Sequence, residues 1–332
     1  MSATNTIKGF SQALIQWQKA FGRQNLPWQV KDPYRRWISE IMLQQTQVNV
    51  VSDYFTRFIN AYPTLNDLAQ ADEEDVMRLW AGLGYYSRAR NLLKCAKVLV
   101  RDWESRFPQR SEDLMKLPGI GRSTAGAIAS FSFDAPTPIL DGNVKRVFAR
   151  VLALDAPLET ASAQKSLWKF AQDQMPKKEP GVYNQALMDI GSLICTRTHP
   201  KCETCPVRLW CKARELGQVL SYPVRKKKKI KPEKEACMLL YTHGSRLWLT
   251  KREEKGVWRG LWSLPETASS SGEPVARFSH DFSHYRLHAR IYEIALPDLK
   301  KAPSNGKWIE WKDIEKEALA APVKRVLLSL RM

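Results

Sequence analysis

Four cysteines in the second half of the chain constrain its fold more than any other feature. Cys195, Cys202, Cys205 and Cys211 have the spacing C-x6-C-x2-C-x5-C, which places four thiols within seventeen residues. Thiols clustered in this way are typical of a zinc site or an iron–sulfur cluster, and four thiolates suit either metal. The spacing therefore predicts a loop that folds around a metal group without choosing the metal. Six cysteines in 332 residues do not make a secreted disulfide scaffold and favour a reducing cytosol.

The region before and around these cysteines has the pattern of a helical domain. Apolar residues recur at helical spacing from about residue 8 to about residue 217. A proline-bounded basic run at 223–232 is typical of a linker. We therefore expect a mainly α-helical domain at 1–222, followed by a basic linker at 223–234.

The C-terminal region has a different pattern. Segments 236–242, 246–252 and 286–294 alternate like β-strands, and 321–330 has the pattern of a closing helix. These elements predict an α+β domain at 235–332.

The charge of the chain indicates a polyanionic partner. Lys and Arg total 52 against 34 Asp and Glu, a net charge of +18. Nucleic acid is the leading candidate, although ribosomal RNA, a membrane surface or no partner at all are also compatible with charge alone. Because no run of eighteen apolar residues and no secretory signal is found, we expect no membrane segment and a cytoplasmic location.

A glycine-rich turn at 117–125 is a candidate phosphate-binding element. Its sequence, L-P-G-I-G-R-S-T-A, contains Gly119 and Gly121 and opens a helix. Backbone N–H groups at such a helix start, together with the helix dipole, can hold an anion. The alternative is an ordinary turn between two core helices.

Two carboxylates are candidate catalytic groups. Asp141 stands where a helix begins, in the segment I-L-D-G-N-V, and could either cap that helix or point into a cleft. Glu40 shares a helix face with Gln44 in the segment S-E-I-M-L-Q-Q-T. A carboxyl group beside amides and apolar side chains could have a raised pKa and act as a proton donor, whereas a solvated surface glutamate is the commoner outcome.

Taken together, these motifs resemble those of the MutY-type adenine DNA glycosylases, members of the helix–hairpin–helix (endonuclease III) superfamily. The resemblance extends from residues 26–28 to about residue 325. It implies a helix–hairpin–helix fold with a [4Fe–4S] cluster on the four cysteines. It also implies that Glu40 protonates the departing adenine, that Asp141 stabilises the sugar cation and that Asn143 orients Asp141 or the water.

The resemblance assigns further residues to DNA and to the flipped base. In the family, one group wedges into DNA beside the opposing base and another lines the base pocket. The wedge residues are Gln44, Gln45, Thr46, Leu83 and Tyr85; the pocket residues are Trp28, Gln185 and Met188; Gly119, Gly121 and Ser123 belong to the hairpin that binds DNA.

Ser123 also bears on the reaction type. Bifunctional relatives carry at this position a lysine that forms a Schiff base with the sugar. Serine lacks that amine, so the resemblance implies a monofunctional enzyme that uses water. Some family members instead have Tyr at this position and Arg at the position of Gln29, which leaves details of the pocket open.

The C-terminal region resembles the Nudix-like domain of the same family. Segments 256–265 and 278–284 carry the resemblance, and the metal-binding box of a true Nudix hydrolase is not found. This implies a recognition module in which Phe282, Ser283 and His284 approach 8-oxoguanine. The alternative is a hairpin whose histidines have structural roles.

The combined prediction is base-excision repair of adenine mispaired with 8-oxoguanine or guanine in double-stranded DNA, by a monomer in the bacterial cytosol or nucleoid. Two other hypotheses remain at this point. One is a bifunctional glycosylase for oxidised pyrimidines, which Ser123 and the C-terminal region disfavour. The other is a non-catalytic DNA-binding protein, which the presence of both Glu40 and Asp141 disfavours.

Overall fold

The computed structural model describes residues 7–226, 230–252 and 256–331. It divides into two compact units, which are described separately below. The first comprises Met1–Ala69 and Lys94–Lys227, and the second comprises Gln70–Leu93 and Lys228–Met332. Residues 70–93, which precede the cysteine loop by a hundred residues in sequence, thus pack with the C-terminal region. Part of the predicted linker, 227–229, lies outside the described residues.

Helices build most of the chain before residue 216, as the periodicity predicts. They are α1 (Phe10–Phe21), α2 (Pro33–Leu43), α3 (Val48–Ala61), α4 (Leu65–Gln70), α5 (Glu73–Trp80), α6 (Ser87–Asp102), α7 (Ser111–Leu114), α8 (Arg122–Phe133), α9 (Gly142–Leu152), α10 (Ala161–Asp173), α11 (Pro180–Leu193) and α12 (Lys212–Glu215). None of the described helices is long and apolar enough to cross a membrane.

The core of the first unit lies between α1, α9, α10 and α11. The ring of Phe170 meets the rings of Phe148 and Phe10 edge to face. The ring centroids lie 5.0 Å apart for Phe148 and Phe170 and 5.9 Å apart for Phe10 and Phe170. Such aromatic pairs add about 1 kcal/mol each beyond the burial of their area. Helices α9 and α11 approach closely where Gly191 offers no side chain. This packing determines where α9 begins.

The second unit contains a seven-stranded mixed sheet. Its main path runs β3-β2-β1-β6-β5, with β4 beside β1 and β7 beside β2, and β1 and β6 are parallel. Alternate residues of β6, among them Leu287, Ala289 and Ile291, are buried, as expected for a sheet with one covered face. The strands are β1 (Glu233–His243), β2 (Arg246–Lys251), β3 (Trp262–Ser263), β4 (Glu266–Thr267), β5 (Ala276–Asp281), β6 (Arg286–Ala295) and β7 (Gly306–Glu310); α13 (Ala321–Leu330) follows.

These elements confirm the predicted fold class, a mainly helical region followed by an α+β region. The three predicted strands correspond to β1, β2 and β6, and the predicted closing helix to α13. Strands β3, β4, β5 and β7 were not predicted from the sequence. β3 and β4 have two residues each, which is too short for an alternating pattern. The periodicity of 37–58 is that of a helical stretch with or without an interruption, and the structure interrupts it between Leu43 and Val48.

Candidate active site

Asp141 is the N-cap of α9. Its side-chain oxygen accepts a hydrogen bond from the backbone N–H of Val144 at 2.7 Å. The carboxylate therefore lies at the positive end of the helix dipole. Burial raises the pKa of Asp141, while the N–H groups of Val144 and Asn143 and the charges of Arg146 and Lys145 lower it. The capping interpretation of this residue is thus correct, and capping still leaves a half-buried carboxylate held at a fixed place.

Glu40 lies in the last turns of α2, one helical turn after Arg36 and one turn before Gln44. It is half-buried, and burial raises its pKa to about 7. The positive charge of Arg36 lowers this pKa, whereas the negative charge of Asp141 raises it. The charge of Asp141 is therefore one of the influences on the pKa of Glu40. A carboxyl group that is partly protonated at neutral pH can act as a general acid.

The hairpin and the end of α2 are tied to this site by two side-chain hydrogen bonds. Ser123, in the first turn of α8, accepts a bond from the backbone N–H of Leu140 at 3.0 Å, immediately before Asp141. Gln44 donates to Thr124 of the same turn at 3.2 Å. The helix carrying Glu40 and the segment leading to Asp141 thus meet at the start of α8.

The predicted phosphate-binding turn has the required backbone. Gly119 adopts φ +78°, a conformation that favours glycine. Gly121 is the N-cap of α8, and no side chain caps that helix. A Cβ at Gly121 would meet nothing within 4 Å. The start of α8 is therefore uncapped and has free space beside Gly121; that it binds a phosphate stays a prediction.

Asn143 is fixed by α11 and by Arg146. The side-chain oxygen of Asn143 accepts a hydrogen bond from Arg146 at 2.9 Å. Arg146 also donates to the backbone oxygens of Gly191, at 2.5 Å, and Cys195, at 2.9 Å. A Cβ at Gly191 would lie 2.6 Å from the Cβ of Asn143. The first turn of α9 can therefore occupy its position only because residue 191 is a glycine.

Gln185 lines a cavity of about 410 Å³ together with Gln29 and Arg36. Its amide nitrogen donates to the buried carboxylate of Asp189 at 2.9 Å. Because a carboxylate only accepts, this bond directs the Gln185 carbonyl oxygen away from Asp189. The residues lining the cavity do not include two other predicted pocket residues. Trp28 is buried and contacts Phe55 edge to face at 5.5 Å, and Met188 is half-buried on α11.

Asp189 also accepts four hydrogen bonds from α1 and the segment after it. Gln18 donates at 3.1 Å, and Arg23 donates through its backbone N–H at 2.8 Å and through its guanidinium at 3.0 and 2.5 Å. Asp189 is completely buried. A buried carboxylate with this many donors is a firm anchor for the side chain of Gln185.

The break between α2 and α3 places the predicted wedge residues in a tight turn. Gln45 adopts φ +59° and is exposed, while Gln44 and Thr46 are half-buried beside it. α2 ends at Leu43 because Gln44 leaves the helical region, with φ −58° and ψ 111°, and the positive φ of Gln45 continues the turn before α3.

A cleft of about 510 Å³ in the second unit brings together two segments that the sequence analysis treated separately. Tyr85, which is about half exposed, lines it from one side, and Phe282, Ser283 and His284 line it from the other. Leu83, by contrast, is 6% exposed and does not line the cleft. Its predicted contact with DNA stays a prediction.

Three aromatic residues that the sequence analysis did not select support the Phe282 side of the cleft. The Phe282 ring lies 5.1 Å from Trp258, 4.6 Å from His280 and 4.8 Å from Tyr285, measured between ring centroids. Trp258 adopts φ +61°, a strained conformation for a bulky residue. The G-V-W-R-G sequence around Trp258 was the available signal.

The four clustered cysteines line one small apolar cavity. Arg150, which is 1% exposed, donates from its guanidinium to the sulfur of Cys195 at 3.2 Å and to the backbone oxygen of Thr196 at 2.7 Å. Burial raises the pKa of Cys205 to about 12 and also raises the pKa values of Cys202 and Cys211. Within the described ranges, no three Cys, His, Asp or Glu side chains are grouped closely enough to hold a single metal ion.

The sequence analysis missed Arg146, Arg150 and Asp189. All three are charged residues on otherwise apolar helix faces. Arg146 and Arg150 are four residues apart on α9, and Asp189 lies between Leu187 and Ile190 on α11. A charge on a buried face needs a partner, and this pattern was the signal that could have identified them.

Comparisons with known proteins give the family. Residues 38–172 match the HhH-GPD superfamily of base excision DNA repair proteins, and residues 236–329 match the NUDIX domain. The adenine DNA glycosylase of Buchnera aphidicola from Schizaphis graminum is 37% identical over 97% of this chain and 99% of its own length. The rat adenine DNA glycosylase is 32% identical over 96% of this chain and 77% of its own length.

A solved structure supports the same assignment for the helical region. A thermostable thymine-DNA glycosylase superposes with a TM-score of 0.58 and 26% identity, covering 63% of this chain and 96% of its own. Relatives above 30% identity match nearly the full length of this chain. The chain therefore belongs to the MutY-type adenine DNA glycosylase family, which its sequence motifs resemble.

Proposed function

We propose that this protein is a monofunctional DNA glycosylase that hydrolyses the N-glycosidic bond of adenine paired with 8-oxoguanine or guanine in double-stranded DNA. The observation that carries the proposal is the pair formed by Glu40 and Asp141. One carboxyl group has a pKa raised to about 7, and the other lies at the start of α9. The choice of adenine as the base rests on the relatives named adenine DNA glycosylase.

The two carboxyl groups suit the two demands of the reaction. Glu40, protonated, donates its proton to adenine at N7, which makes the base a good leaving group. The sugar then develops positive charge, as in glycoside hydrolysis, where one carboxyl group is the acid and the other stabilises the cation. Asp141 in its ionised form takes the second role, and Asn143 orients it. The base must leave the DNA stack to reach them.

Pocket contacts support adenine as the base. The carbonyl oxygen of Gln185, directed away from Asp189, can accept a hydrogen bond from an exocyclic amino group. Trp28 and Met188 are also proposed to contact the flipped base, although neither lines the cavity at Gln185.

Ser123 supports the monofunctional reaction. Its hydroxyl oxygen is occupied by the N–H of Leu140, and a serine provides no amine for a Schiff base. Water is therefore the proposed nucleophile, and the product is an abasic site in an intact strand.

The cysteine loop is proposed to hold a [4Fe–4S] cluster on Cys195, Cys202, Cys205 and Cys211. Their lining of one apolar cavity supports the proposal, and their number matches the ligand set of such clusters. These four cysteines would hold the cluster as thiolates, and the cluster would cross-link the loop. Purified protein is expected to contain about four iron atoms and four sulfides per chain; zinc in their place would contradict the proposal.

The second unit is proposed to recognise the base opposite adenine. Tyr85 and Phe282 to His284 share one cleft, which supports this role. Lys and Arg exceed Asp and Glu by 18, which supports salt-sensitive binding of duplex DNA through phosphates by the start of α8 and the turn at Gln44 to Thr46.

We further propose domains at 1–222 and 235–332 joined by a linker at 223–234, and a monomer that works in the bacterial cytosol.

The test is single-turnover cleavage of duplexes carrying adenine opposite 8-oxoguanine, with and without alkali. Strand breaks only after alkali treatment, lost in Asp141→Asn protein that still binds the duplex, would support the proposal. Breaks without alkali would contradict the monofunctional assignment. No excision of adenine, with cleavage of an oxidised-pyrimidine duplex, would contradict the substrate.

A further inference from the structure

Glu74, in the first turn of α5, accepts hydrogen bonds from three side chains of the sheet in the second unit. Its Oε1 accepts from the indole N–H of Trp262 at 2.8 Å and from Lys307 at 3.5 Å, and its Oε2 accepts from Lys251 at 3.0 Å. These donors lower the pKa of Glu74, although burial opposes the shift. The first turn of α5 also favours an acidic side chain.

The three donors form a prearranged group. The ammonium groups of Lys307 and Lys251 lie over the indole ring of Trp262, at 4.4 and 5.5 Å from its centroid. Each ion pair is partly exposed and weak by itself. A carboxylate that accepts hydrogen bonds from an indole and from two ammonium groups is stabilised more than by a single such pair, because the donors are already held in place.

A second bond attaches the segment after α5 to the same unit. Arg90, in the first turns of α6, donates to the backbone oxygen of Arg259 at 2.7 Å. Glu74 precedes the loop at 82–86 and Arg90 follows it, and both bond to residues of the C-terminal part of the second unit. That loop contains Tyr85, which lines the cleft opposite Phe282.

The loop at 82–86 is internally braced, so its position follows that of its attachments. Arg88 donates to the backbone oxygens of Leu83 and Gly84 at 3.1 and 3.0 Å. The indole N–H of Trp80 donates to Gly84 at 3.2 Å. Arg88 also lies over the rings of Trp80 and Tyr85, at 5.3 and 5.7 Å. A shift of α5 would therefore move Tyr85 with it.

We propose that Glu74 is a positioning residue that holds the loop at 82–86 on the sheet unit and thereby sets the preference of the enzyme among bases opposite adenine. The effect on base preference rests on the proposed function, whereas the attachment of the loop does not. The cleft is formed by Tyr85 on one side and by Phe282 to His284 on the other. Its width consequently depends on how firmly α5 is held.

The attachment is tested by hydrogen exchange of the full chain without DNA. Glu74→Ala is expected to increase exchange of the backbone amides in 73–86 by roughly five- to tenfold. Glu74→Gln, which keeps an acceptor for Trp262, is expected to recover part of the protection. The matched control is Asp75→Asn on the same helix, whose carboxylate pairs with Arg78 of that helix at 2.7 Å. Equal exchange in wild-type and Glu74→Ala protein would overturn the proposal.

The effect on preference is tested with single-turnover rates on adenine opposite 8-oxoguanine and opposite guanine. Glu74→Ala is expected to reduce the ratio of the two rates by roughly fivefold, while Asp75→Asn leaves it unchanged. If Glu74→Ala increases hydrogen exchange in 73–86 but leaves the ratio of the two excision rates unchanged, Glu74 does not set the preference for the base opposite adenine. If the wild-type protein excises neither adenine, the proposed function fails, whereas the exchange measurement still decides the attachment.

Discussion

Arg146 donates a hydrogen bond to the side-chain oxygen of Asn143 at 2.9 Å. The same guanidinium donates to the backbone oxygen of Cys195 at 2.9 Å, so one side chain spans the distance between the start of α9 and the cysteine loop. One turn further along α9, Arg150 binds the sulfur of Cys195. The helix that begins at Asp141 is therefore fixed at its start by groups belonging to the proposed cluster loop.

Arg146→Met is expected to lower the single-turnover rate of adenine excision by roughly ten- to a hundredfold. The substitution removes the donor to Asn143 and the bonds to Gly191 and Cys195, and small displacements of catalytic groups have large effects on rate. Quench-flow measurement on a saturated duplex gives this rate.

The control for Arg146 is Lys169→Met on α10, which also removes a positive charge but breaks only an exposed pair with Asp173. Its rate should equal that of the wild type. If Arg146→Met excises adenine as fast as Lys169→Met, the support of Asn143 by Arg146 is unimportant for the reaction.

The rate of excision should fall as pH rises above about 7, because Glu40 must be protonated to act as the acid and its pKa is about 7. Glu40→Gln should be slower at every pH and should lack this alkaline decline. The measurement is the single-turnover rate between pH 5.5 and 9. A wild-type rate that stays level through this range would contradict the role of Glu40.

The same raised pKa has a consequence for stability. Because the folded-state pKa of Glu40 lies above the unfolded value of 4.5, its contribution is fully present below that value and is lost as pH rises through about 7. The free energy of unfolding of the wild type should therefore fall relative to that of Glu40→Gln over this window. Urea denaturation at pH 5 and pH 8 compares them; an equal difference at both pH values would contradict the shift.

Sequence alone was sufficient for the fold class, and it placed Asp141 at a helix start; the roles of the candidate site residues stay predictions. Asp141 was predicted because a helix start and a carboxylate coincide in a short segment, and the cysteines because their spacing is local. The bonds of Arg146 to Gly191 and of Gln18 to Asp189 join residues 45 and 171 positions apart, and no local pattern contains such information. The grouping of residues 70–93 with the sheet unit likewise depends on tertiary packing.

Asp189→Asn is expected to lower the free energy of unfolding by about 3 kcal/mol, since breaking a buried charge pair by changing one partner leaves the other uncompensated. The partner is the guanidinium of Arg23, at 2.5 Å. Asparagine keeps one acceptor oxygen, so either Gln18 or Gln185, which bond to different oxygens of Asp189, would face an NH2 donor instead of an acceptor. Urea unfolding measures the change. Asp75→Asn, which breaks an exposed pair with Arg78, should cost less than about 1 kcal/mol, and equal losses in the two variants would contradict the role of Asp189.

Gly191→Ala should impair excision more than DNA binding. Its Cβ would lie 2.6 Å from the Cβ of Asn143 and 3.2 Å from its Cα, so the start of α9, with Asp141, must move. Overpacking of this kind costs about 1–3 kcal/mol of stability. The matched control is Gly142→Ala, one residue before Asn143, where an added Cβ meets nothing within 4 Å. Single-turnover rates and duplex dissociation constants of both variants decide the matter. Because Gly191 acts by leaving room for Asn143, a Gly191→Ala enzyme as fast as Gly142→Ala would show that the position of α9 is not critical for the reaction.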